Sequence, residues 1–343
     1  MRALRYDAVG ARPRVIEVAE PVCPADGVIV QVRATGVCRS DFHAWIGHDP
    51  VTLPHVGGHE LAGVITQTGP QVRRWQVGDR VTVPFVSGCG HCELCRSGAP
   101  QVCAEQTQPG FTGWGSFAEL VALHAADFNL VRLPDDLAFE TAAALGCRFA
   151  TAYRAVTGHT TLSQGDWLAV YGAGGAGLSA IMIGHALGLR VVAVDVSADA
   201  LHLAADCGAE LIINARDEDP ADKINSELGG VGLSLDCAGT AGTAVASVRS
   251  LRRRGHHVQV GLLFGSDATP PLPLDRVIAW ELSVHGSHGI AAADYPGLLD
   301  LVTSHRVTPG TMITTITDLE GAGRALVAMA GPGANAGVTV AVP

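Results

Sequence analysis

The stretch Asp166-Trp-Leu-Ala-Val-Tyr171-Gly172-Ala-Gly174-Gly175-Ala-Gly177 decides the fold. Its first six residues form a short apolar strand pattern, and the glycines that follow match G-x-G-x-x-G. A helix pattern starts at Gly177 and ends at Gly188, a residue type that suits a helix C-terminus. A glycine loop between a strand and a helix is typical of a dinucleotide-binding unit, and a glycine-rich turn of another α/β fold is the alternative.

The glycines and one acidic residue predict how a dinucleotide would bind. Gly172 permits the tight turn, Gly174 lets the backbone approach a pyrophosphate, and Gly177 lets helix and strand pack closely. The helix N-terminus supplies N–H donors for the phosphates. Asp195 closes the next strand, eighteen residues after Gly177, where it would accept hydrogen bonds from ribose hydroxyls and repel a 2′-phosphate. Residues 196–199 contain no Arg or Lys, so we predict NAD rather than NADP.

Strand and helix patterns alternate through this half of the chain. Strands are predicted at 166–171, 190–194, 211–213, 233–236, 258–262 and 282–285, with helices at 199–207, 221–228 and 242–253. The alternation predicts an α/β class with a parallel sheet covered on both faces, here a Rossmann domain with six parallel strands. Arg252–Arg254 are predicted to form a solvated helix end, where cations complement the helix dipole.

The remaining segments read differently. Val28–Arg33 alternates apolar and polar residues at period two, and similar patterns at 61–66 and 80–84 make this part of the chain β-rich. An Ala- and Gly-rich helical piece, Thr141–Tyr153, joins this part to the Rossmann part. A helix near 319–330 and a strand at 337–342 are predicted at the end of the chain. We expect His48 and His55 on loop surfaces.

Four cysteines stand close together at spacings x2, x2 and x7, namely Cys89, Cys92, Cys95 and Cys103. Four thiolates satisfy the tetrahedral preference of zinc and leave no open coordination position. We therefore predict a structural zinc site in a loop-rich lobe at 87–104, in preference to free thiols or disulfides.

A second, dispersed group could hold a metal that does chemistry. Cys38, His59 and Cys147 offer two thiolates and an imidazole, and a catalytic zinc uses about three protein ligands and one open position. Asp41 could orient the His59 ring as a hydrogen-bond acceptor. A lone cysteine is also a common small buried apolar residue, so spacing alone leaves both interpretations open.

Composition narrows the class of protein. The chain has 343 residues, 48% hydrophobic and 16% charged, which predicts a folded protein with room for two domains. A net charge of −10 argues against nucleic-acid or anionic membrane partners. No apolar window of eighteen residues and no apolar N-terminal segment occur, so neither a membrane span nor a signal peptide is expected. Nine cysteines, an odd number, favour metal use in the reducing cytoplasm.

Four motifs occur in a fixed order: Gly36-Val-Cys-Arg-Ser-Asp41, Gly57-Gly-His-Glu60, Cys89-Gly-His-Cys-Glu-Leu-Cys95 and Gly172-Ala-Gly-Gly-Ala-Gly177. Together they resemble the zinc-dependent alcohol dehydrogenases of the medium-chain dehydrogenase/reductase superfamily over essentially the whole chain. The resemblance implies a GroES-like catalytic domain at 1–150, interrupted by a Rossmann NAD-binding domain at 151–290 and completed by 291–343. It also implies hydride transfer between an alcohol and NAD, giving an aldehyde or ketone, with two zinc ions per chain.

The resemblance implies roles around the catalytic zinc. Its ligands would be Cys38, His59 and Cys147. Glu60 would be a nearby carboxylate that approaches the metal during ligand exchange. Ser40 would hydrogen-bond the substrate oxygen and start a proton relay, and His43 would take the proton onward to solvent through the cofactor ribose.

Cofactor contacts and assembly follow from the same resemblance. Arg39 would reach the cofactor pyrophosphate, and Thr151 would contact the nicotinamide side. The family often carries a late basic residue for the cofactor phosphates, whereas the matching stretch, 333–337, has none. A homodimer or homotetramer would form by strand addition at the Rossmann edge near Leu282–Ile290, because unpaired edge groups invite a partner strand.

Three aromatic residues and one metal ligand bear on the choice of substrate. Trp45, Phe85 and Trp114 lie near zinc motifs and could shape an apolar pocket for primary alcohols, aryl or allylic ones among them; aromatic core residues are the alternative. A polyol or sugar dehydrogenase is a second hypothesis, but that branch tends to replace the third cysteine with a carboxylate, and Cys147 argues against it. The third is a zinc-stabilised NAD-binding protein without turnover, which would hold one zinc rather than two.

Overall fold

The chain divides into two units in the computed structural model, which describes residues 1–331 and 337–343. The β-rich unit comprises Met1–Ala150, Gly289–Thr303 and Pro309–Pro343, and the Rossmann unit comprises Thr151–His288 and Ser304–Thr308. The stretch 333–337 was noted above because it lacks the basic residue that the family often carries. Its residues 333–336 lie outside the described residues.

The strands are β1 (Arg2–Tyr6), β2 (Arg14–Glu17), β3 (Val28–Val37), β4 (His55–Val56), β5 (Glu60–Thr68), β6 (Arg80–Thr82), β7 (Leu120–Leu123), β8 (Val131–Arg132), β9 (Trp167–Tyr171), β10 (Arg190–Asp195), β11 (Leu211–Asn214), β12 (Val231–Asp236), β13 (Leu251–Gln259), β14 (Ser283–Gly286), β15 (Ile313–Thr317) and β16 (Val338–Ala341). The helices are α1 (Arg39–Trp45), α2 (Glu93–Arg96), α3 (Ala126–Asn129), α4 (Phe139–Ala143), α5 (Ala150–Thr157), α6 (Gly175–Ala186), α7 (Ala198–Asp206), α8 (Pro220–Leu228), α9 (Ala241–Arg249), α10 (Leu274–Ala279), α11 (Tyr295–Thr303) and α12 (Leu319–Ala328). A π-helical turn covers Leu145–Phe149.

The Rossmann unit contains a six-stranded parallel sheet in the order β11-β10-β9-β12-β13-β14. The predicted fold class is confirmed, since this is the order of a dinucleotide-binding sheet. Strand β12 is buried along its whole length, and the core gathers apolar side chains such as Ala169, Val192 and Ile213 from neighbouring strands. The strand order reverses between β9 and β12, so the crevice outside their carboxyl ends is the expected ligand position.

The prediction for Arg252–Arg254 was wrong. Helix α9 ends at Arg249, and the three arginines lie in β13 instead of a helix end. Leu251 is fully buried and pairs with Val231, and an irregularity in the register follows this pair. The arginines are exposed on the irregular part of the strand, where Arg254 adopts a φ of 60°. The strand therefore begins at the buried Leu251, before the three arginines, and not after them as the sequence pattern had predicted.

The β-rich unit is organised around β3. A seven-stranded sheet has the order β15-β16-β3-β5-β6-β8, with β7 also paired to β3, and β2-β1-β4 form a second sheet. Val30, Ile65 and Val121 pack with other apolar side chains of the seven-stranded sheet into one core cluster. Helix α12 returns the end of the chain to this unit, because Leu319 and Leu326 are buried against Leu4 and Phe117 in another cluster.

Two details of the β-rich unit bear on the sequence predictions. The predicted helical piece 141–153 is divided between α4, the π-helical turn and α5. The expectation for His55 was wrong: it lies in β4 and is 1% exposed. A ring nitrogen of His55 lies 2.8 Å from the carbonyl oxygen of Gly110, and its ring packs edge-on against Tyr6. Burial of a histidine in so short a strand follows from these distant partners.

Among the described residues, no helix has both the length and the apolar character needed to cross a membrane.

A buried polar network lies between α9 and the Rossmann sheet. The hydroxyl of Ser247 lies 2.8 Å from Nδ1 of His257 and 2.6 Å from the hydroxyl of Ser234. His257 is 1% exposed, and burial lowers its pKa to about 4. The neutral imidazole is therefore the form that the folded unit accommodates.

This network predicts acid sensitivity. In the unfolded chain a histidine binds its proton near pH 6.5, whereas His257 in the folded chain binds it only near pH 4. Stability should therefore fall as the pH falls from about 6.5 to about 4, by about 3 kcal/mol from this group. His257→Asn should flatten that part of the profile, measured by urea unfolding at several pH values. The exposed His202 on α7 is the control, and an unchanged slope in His257→Asn would contradict the prediction.

Candidate functional site

The four-cysteine lobe brings its sulfurs together. The Sγ atoms of Cys89, Cys92, Cys95 and Cys103 all lie within 4.8 Å of one another. The backbone N–H groups of Cys92 and Cys95 donate to the sulfurs of Cys89 and Cys92, each at 3.4 Å. The donor from Cys95 is the main reason that the pKa of Cys92 is lowered to about 7. Four sulfurs at this range, with amide donors that stabilise thiolates, fit a closed zinc site.

The turn of this lobe also depends on a glycine. Gly88 precedes the first cysteine, and a Cβ there would lie 2.8 Å from Sγ of Cys95. The carbonyl of Gly88 accepts a hydrogen bond from the buried Asn129 at 2.9 Å. A residue with a side chain would therefore displace one of the sulfurs from the group.

A second ligand group forms where β3, β5 and the π-helical turn meet. Cys38 follows β3, His59 precedes β5, and Cys147 lies in the π-helical turn. One ligand atom from each of these three residues and from Glu60 lies within 4.8 Å of the others. Strands β3 and β5 pair with Gly36 opposite Glu60. This register brings together two ligands that are 21 positions apart in the sequence.

Asp41 fixes the orientation of this group. Its Oδ1 lies 3.0 Å from Nδ1 of His59 and accepts from the backbone N–H of Gly58, and its Oδ2 accepts from the N–H of Cys38 at 2.9 Å. Asp41 and His59 are both buried. Burial lowers the pKa of the His59 imidazole, but the Asp41 carboxylate and, after it, Cys38 together outweigh burial and raise the pKa of His59. The sequence predicted this orienting contact, and the structure provides it.

The donor set fits a zinc ion. With Nδ1 held by Asp41, Nε2 of His59 is buried and has no hydrogen-bond partner among the described residues. A hydrogen bond from Cys147 and, after the opposing effect of burial, the charge of Arg148 lower the pKa of Cys38, while the same hydrogen bond raises the pKa of Cys147. Two sulfurs and one oriented imidazole nitrogen are the ligands that zinc prefers in a site with an open position.

Glu60 lies in this group and is paired with Arg148. Its Oε1 accepts from the backbone N–H of Arg148 at 3.0 Å and from Nε at 2.9 Å, and its Oε2 accepts from the guanidinium. Glu60 is 0% exposed; burial raises the pKa of this carboxyl, and the Arg148 charge opposes the rise. No sequence pattern indicates a role for Arg148, because it lies next to Cys147 but contacts residues that are far away in the sequence.

The residues implied in proton relay lie on α1. Ser40 Oγ is 3.9 Å from Cys38 Sγ, so this hydroxyl is near a ligand atom. His43 is three residues further along, which places it on the same side of the helix. His43 stacks on His48, with ring centroids 5.6 Å apart. Burial, followed by the charges of His48 and Arg39, lowers the pKa of His43, so that its ring is neutral at neutral pH.

Two phenylalanine rings pack against the His59 ring. Phe85 lies with its centroid 6.0 Å from His59, and Phe111 lies at 5.1 Å. Phe111 was not predicted, since its sequence neighbours carry no metal motif. Trp45 belongs to a core cluster with Phe117, and Trp114 is partly exposed and donates to the carbonyl of Pro54. Of the three predicted aromatic residues, Phe85 is therefore the one seen against the ligand group.

The glycine loop of the Rossmann unit has the predicted geometry. Gly172 has a φ of 92°, which favours glycine. A Cβ on Gly177 would lie 1.8 Å from the carbonyl oxygen of Gly172, whereas one on Gly174 would meet no atom within 4 Å. Gly174 is the N-cap of α6, so the open space lies before a twelve-residue helix whose first N–H groups are available donors. An anionic pyrophosphate fits this cradle.

Asp195 and Thr151 are the other implied cofactor contacts in this unit. Oδ2 of Asp195 accepts from the backbone N–H of Ala173 in the glycine loop at 2.7 Å, and Oδ1 accepts from Val196 and Ser197. The carboxylate is thus anchored at the loop. Thr151 is 8% exposed, and its Oγ1 has no hydrogen-bond partner within the described part of the chain.

Arg39, the remaining implied cofactor contact, lies in the β-rich unit. Its guanidinium donates to the carbonyl of Met329 at 2.8 Å and lies over the Phe42 ring, while the side chain remains exposed.

Comparison with known proteins shows extended similarity. Residues 24–135 match the family described as alcohol dehydrogenase GroES-like domain, and residues 175–304 match the family described as zinc-binding dehydrogenase. An alcohol dehydrogenase of Geobacillus stearothermophilus is 41% identical over 277 residues, 80% of each chain. An NAD-dependent alcohol dehydrogenase of Saccharolobus solfataricus is 33% identical over 341 residues, 95% of each chain. The solved alcohol dehydrogenase of Thermus sp. ATN1 superposes with a TM-score of 0.92 at 30% identity, covering 100% of this chain and 99% of the other.

The two ligand groups predict a metal content of two zinc ions per chain. Cys103→Ser should lower the content to about one and reduce thermal stability, because three remaining sulfurs no longer close the tetrahedral site. Native mass spectrometry and elemental analysis measure this directly. Cys207→Ser, which changes a buried cysteine outside both groups, is the matched control. A content of two in Cys103→Ser, or of one in the unaltered protein, would show that the groups are misassigned.

Proposed function

Since the chain belongs to the zinc-dependent alcohol dehydrogenases of the medium-chain dehydrogenase/reductase superfamily, we propose that it transfers hydride between a primary alcohol and NAD, giving the aldehyde. The observation that carries the proposal is the buried Cys38–His59–Cys147 group, in which Asp41 holds Nδ1 of the imidazole and leaves Nε2 without a partner among the described residues. Three protein ligands leave one coordination position for substrate.

The β-rich unit supplies the ligands and the proton path. Zinc, when bound, supplies a Lewis acid that lowers the pKa of an alcohol oxygen. Ser40 would hydrogen-bond the alcohol oxygen and start the transfer of its proton, and His43, three residues further along α1, would release that proton toward solvent. His43 suits this role because an imidazole, whose ordinary pKa lies near neutrality, can take up a proton and release it again. In the same proposal the four cysteines at 89–103 hold a second zinc with a structural role.

The Rossmann unit holds the cofactor. NAD, when bound, supplies the hydride acceptor. The glycine loop and the N-terminus of α6 bind its pyrophosphate, with Arg39 as a further contact and Thr151 on the nicotinamide side. Asp195 accepts hydrogen bonds from the adenosine ribose. Val196 and Ser197 follow it and offer no cation for a 2′-phosphate, which supports a preference for NAD over NADP.

The rings beside His59 support an aromatic or allylic substrate class. Phe85 and Phe111 offer an apolar, planar surface next to the ligand group. An aryl or allylic primary alcohol would bury its flat apolar part against these rings. A polyol would leave hydroxyl groups against the same surface, and burial of such groups without partners is costly. The rings therefore support the alcohol over the polyol.

The proposal is tested by following NADH formation in purified zinc-loaded protein. We expect turnover of simple primary alcohols, faster for aryl and allylic members, and little or none when NADP replaces NAD. Secondary alcohols and polyols complete the panel, and a Cys147→Ser variant provides the background rate. Turnover confined to polyols would transfer the proposal to that branch. Absence of turnover in protein that holds a single zinc would instead leave a zinc-stabilised NAD-binding protein.

We also propose a homodimer or homotetramer that assembles through the outer edge of the Rossmann sheet. Strand β14 is the last strand of the sheet, and α10 leads directly into it. Ile278 on α10 is 79% exposed, and Leu274 and Val284 are exposed beside it in the sequence. An edge strand flanked by exposed apolar side chains invites a partner.

The reduced thiols of the two ligand groups support a cytoplasmic location, which cell fractionation would test.

Ile278→Asp should weaken this assembly, because a carboxylate would be buried without a partner in the interface. Sedimentation velocity should show the unaltered protein as a dimer or tetramer and the variant shifted toward smaller species at the same concentration. Ile212→Asp is the matched control, since Ile212 is an exposed isoleucine on β11, at the opposite edge of the sheet. An equal shift in both variants, or none in either, would place the interface elsewhere.

A further inference from the structure

Arg148 links the three chain segments that carry Cys38, His59 and Cys147. The side chain of Arg148 donates to the carbonyl of Val37 at 3.0 Å and to the carboxylate of Glu60 at 2.9 Å through Nε. Val37 directly precedes Cys38, and Glu60 directly follows His59.

The third segment belongs to the arginine itself. Arg148 follows Cys147 within the π-helical turn, and its backbone N–H also donates to Oε1 of Glu60 at 3.0 Å. The turn is therefore fastened by a main-chain bond as well as by the guanidinium. From the other side, the Tyr295 hydroxyl donates to the carbonyl of Gly146 at 3.2 Å.

The contacts are buried and closely fitted. The side chains of Arg148 and Glu60 are 6% and 0% exposed. Gly36, which precedes Val37, leaves room for the carboxylate, since a Cβ there would lie 2.3 Å from Oε2 of Glu60. A planar guanidinium that binds both oxygens of a buried carboxylate fixes the direction as well as the distance of the pair. The three segments are thus held in a single relative arrangement by ordered, solvent-excluded bonds.

Asp41 cannot replace this arrangement. Its hydrogen bonds given above reach the Cys38 and His59 segments, and within the described residues none of them reaches the π-helical turn. Among the described residues, the Tyr295 hydroxyl donates to the carbonyls of Leu145 and Gly146, which both belong to the turn itself. Arg148 is therefore the residue that joins the Cys147 segment to the pair fixed by Asp41.

We propose that Arg148 is a positioning residue that assembles the Cys38–His59–Cys147 group for the metal. The proposal rests on the proposed function, in which this group holds the catalytic zinc. Arg148 touches neither substrate nor cofactor in this role. It holds the ligand side chains in place before the ion binds. The conformational entropy lost on binding is therefore smaller, and the affinity for the metal is higher.

Metal affinity can be measured with an internal reference, because the four-cysteine site binds zinc independently of Arg148. Arg148→Lys keeps the charge but not the planar fork. The double variant Glu60→Gln/Arg148→Met removes both charges, so that no unpaired carboxylate is left buried. Arg132→Met is the matched control, since Arg132 makes a two-bond pair with Asp79 in the same unit and belongs to neither ligand group.

The experiment follows zinc release from the full-length protein to a chromogenic chelator, together with the absorption spectrum after cobalt replaces the weaker-bound zinc. We expect the double variant to bind one of its two ions about 10- to 100-fold more weakly, and Arg148→Lys to fall between it and the unaltered protein. The other ion and the Arg132→Met variant should be unaffected. The cobalt–thiolate band should weaken or shift in the two Arg148 variants, because the sulfur positions are no longer fixed.

Two results would overturn the proposal. One is an unchanged zinc affinity and cobalt spectrum in both Arg148 variants, even if their melting temperatures fall, since that would reduce Arg148 to a structural role. The other is weakening of both ions to the same extent. If the unaltered protein holds a single zinc, the proposed function itself fails, and this outcome is distinguished before any variant is made.

Discussion

The antiparallel pairing of β3 with β5 is the constraint on which the chemistry of the β-rich unit depends. It sets Gly36 opposite Glu60, and in doing so places the residues just beyond each strand, Cys38 and His59, side by side. Apolar side chains of both strands pack in one buried cluster, so a slip of the register would turn that cluster toward solvent. The position of the ligand group is therefore enforced by the core and does not rely on the metal alone.

The two units stabilise their charged side chains in different ways. In the β-rich unit, a buried carboxylate orients an imidazole and a second buried carboxylate is neutralised by a guanidinium. These charges are tolerated because each has a partner at hydrogen-bond distance. In the Rossmann unit, Asp195 is held by three backbone N–H groups beside a glycine-rich loop. One unit thus offers directed side-chain ligands, and the other offers main-chain donors and open space.

The sequence predicted those parts of the molecule that local spacing determines. The glycine loop, the four clustered cysteines and the six strands each depend on residues near one another in the sequence, and each is present in the structure. The dispersed ligands needed the family resemblance, because nothing local relates Cys147 to Cys38. Arg148 remained unpredicted for a physical reason: its partners lie 88 and 111 positions away, and an arginine beside a cysteine has no pattern of its own. The positions of Phe111 and the buried His55 also depend on partners that are distant in the sequence. The helix end predicted at Arg252–Arg254 was wrong because the buried leucine before the three polar residues belongs to a strand.

The π-helical turn at Leu145–Phe149 gives this part of the chain an unusual dependence on residue count. Such a turn holds one residue more than a regular α-helical turn, and removal of that residue would restore ordinary helical winding. Each residue of an α-helix is rotated by about 100° from the one before it. The deletion would therefore make the helical winding more regular but would turn Cys147 or Arg148 away from the ligand group. In evolution and in engineering, the positions of this segment other than Cys147 and Arg148 should accept changes of side chain more readily than the segment accepts changes of length.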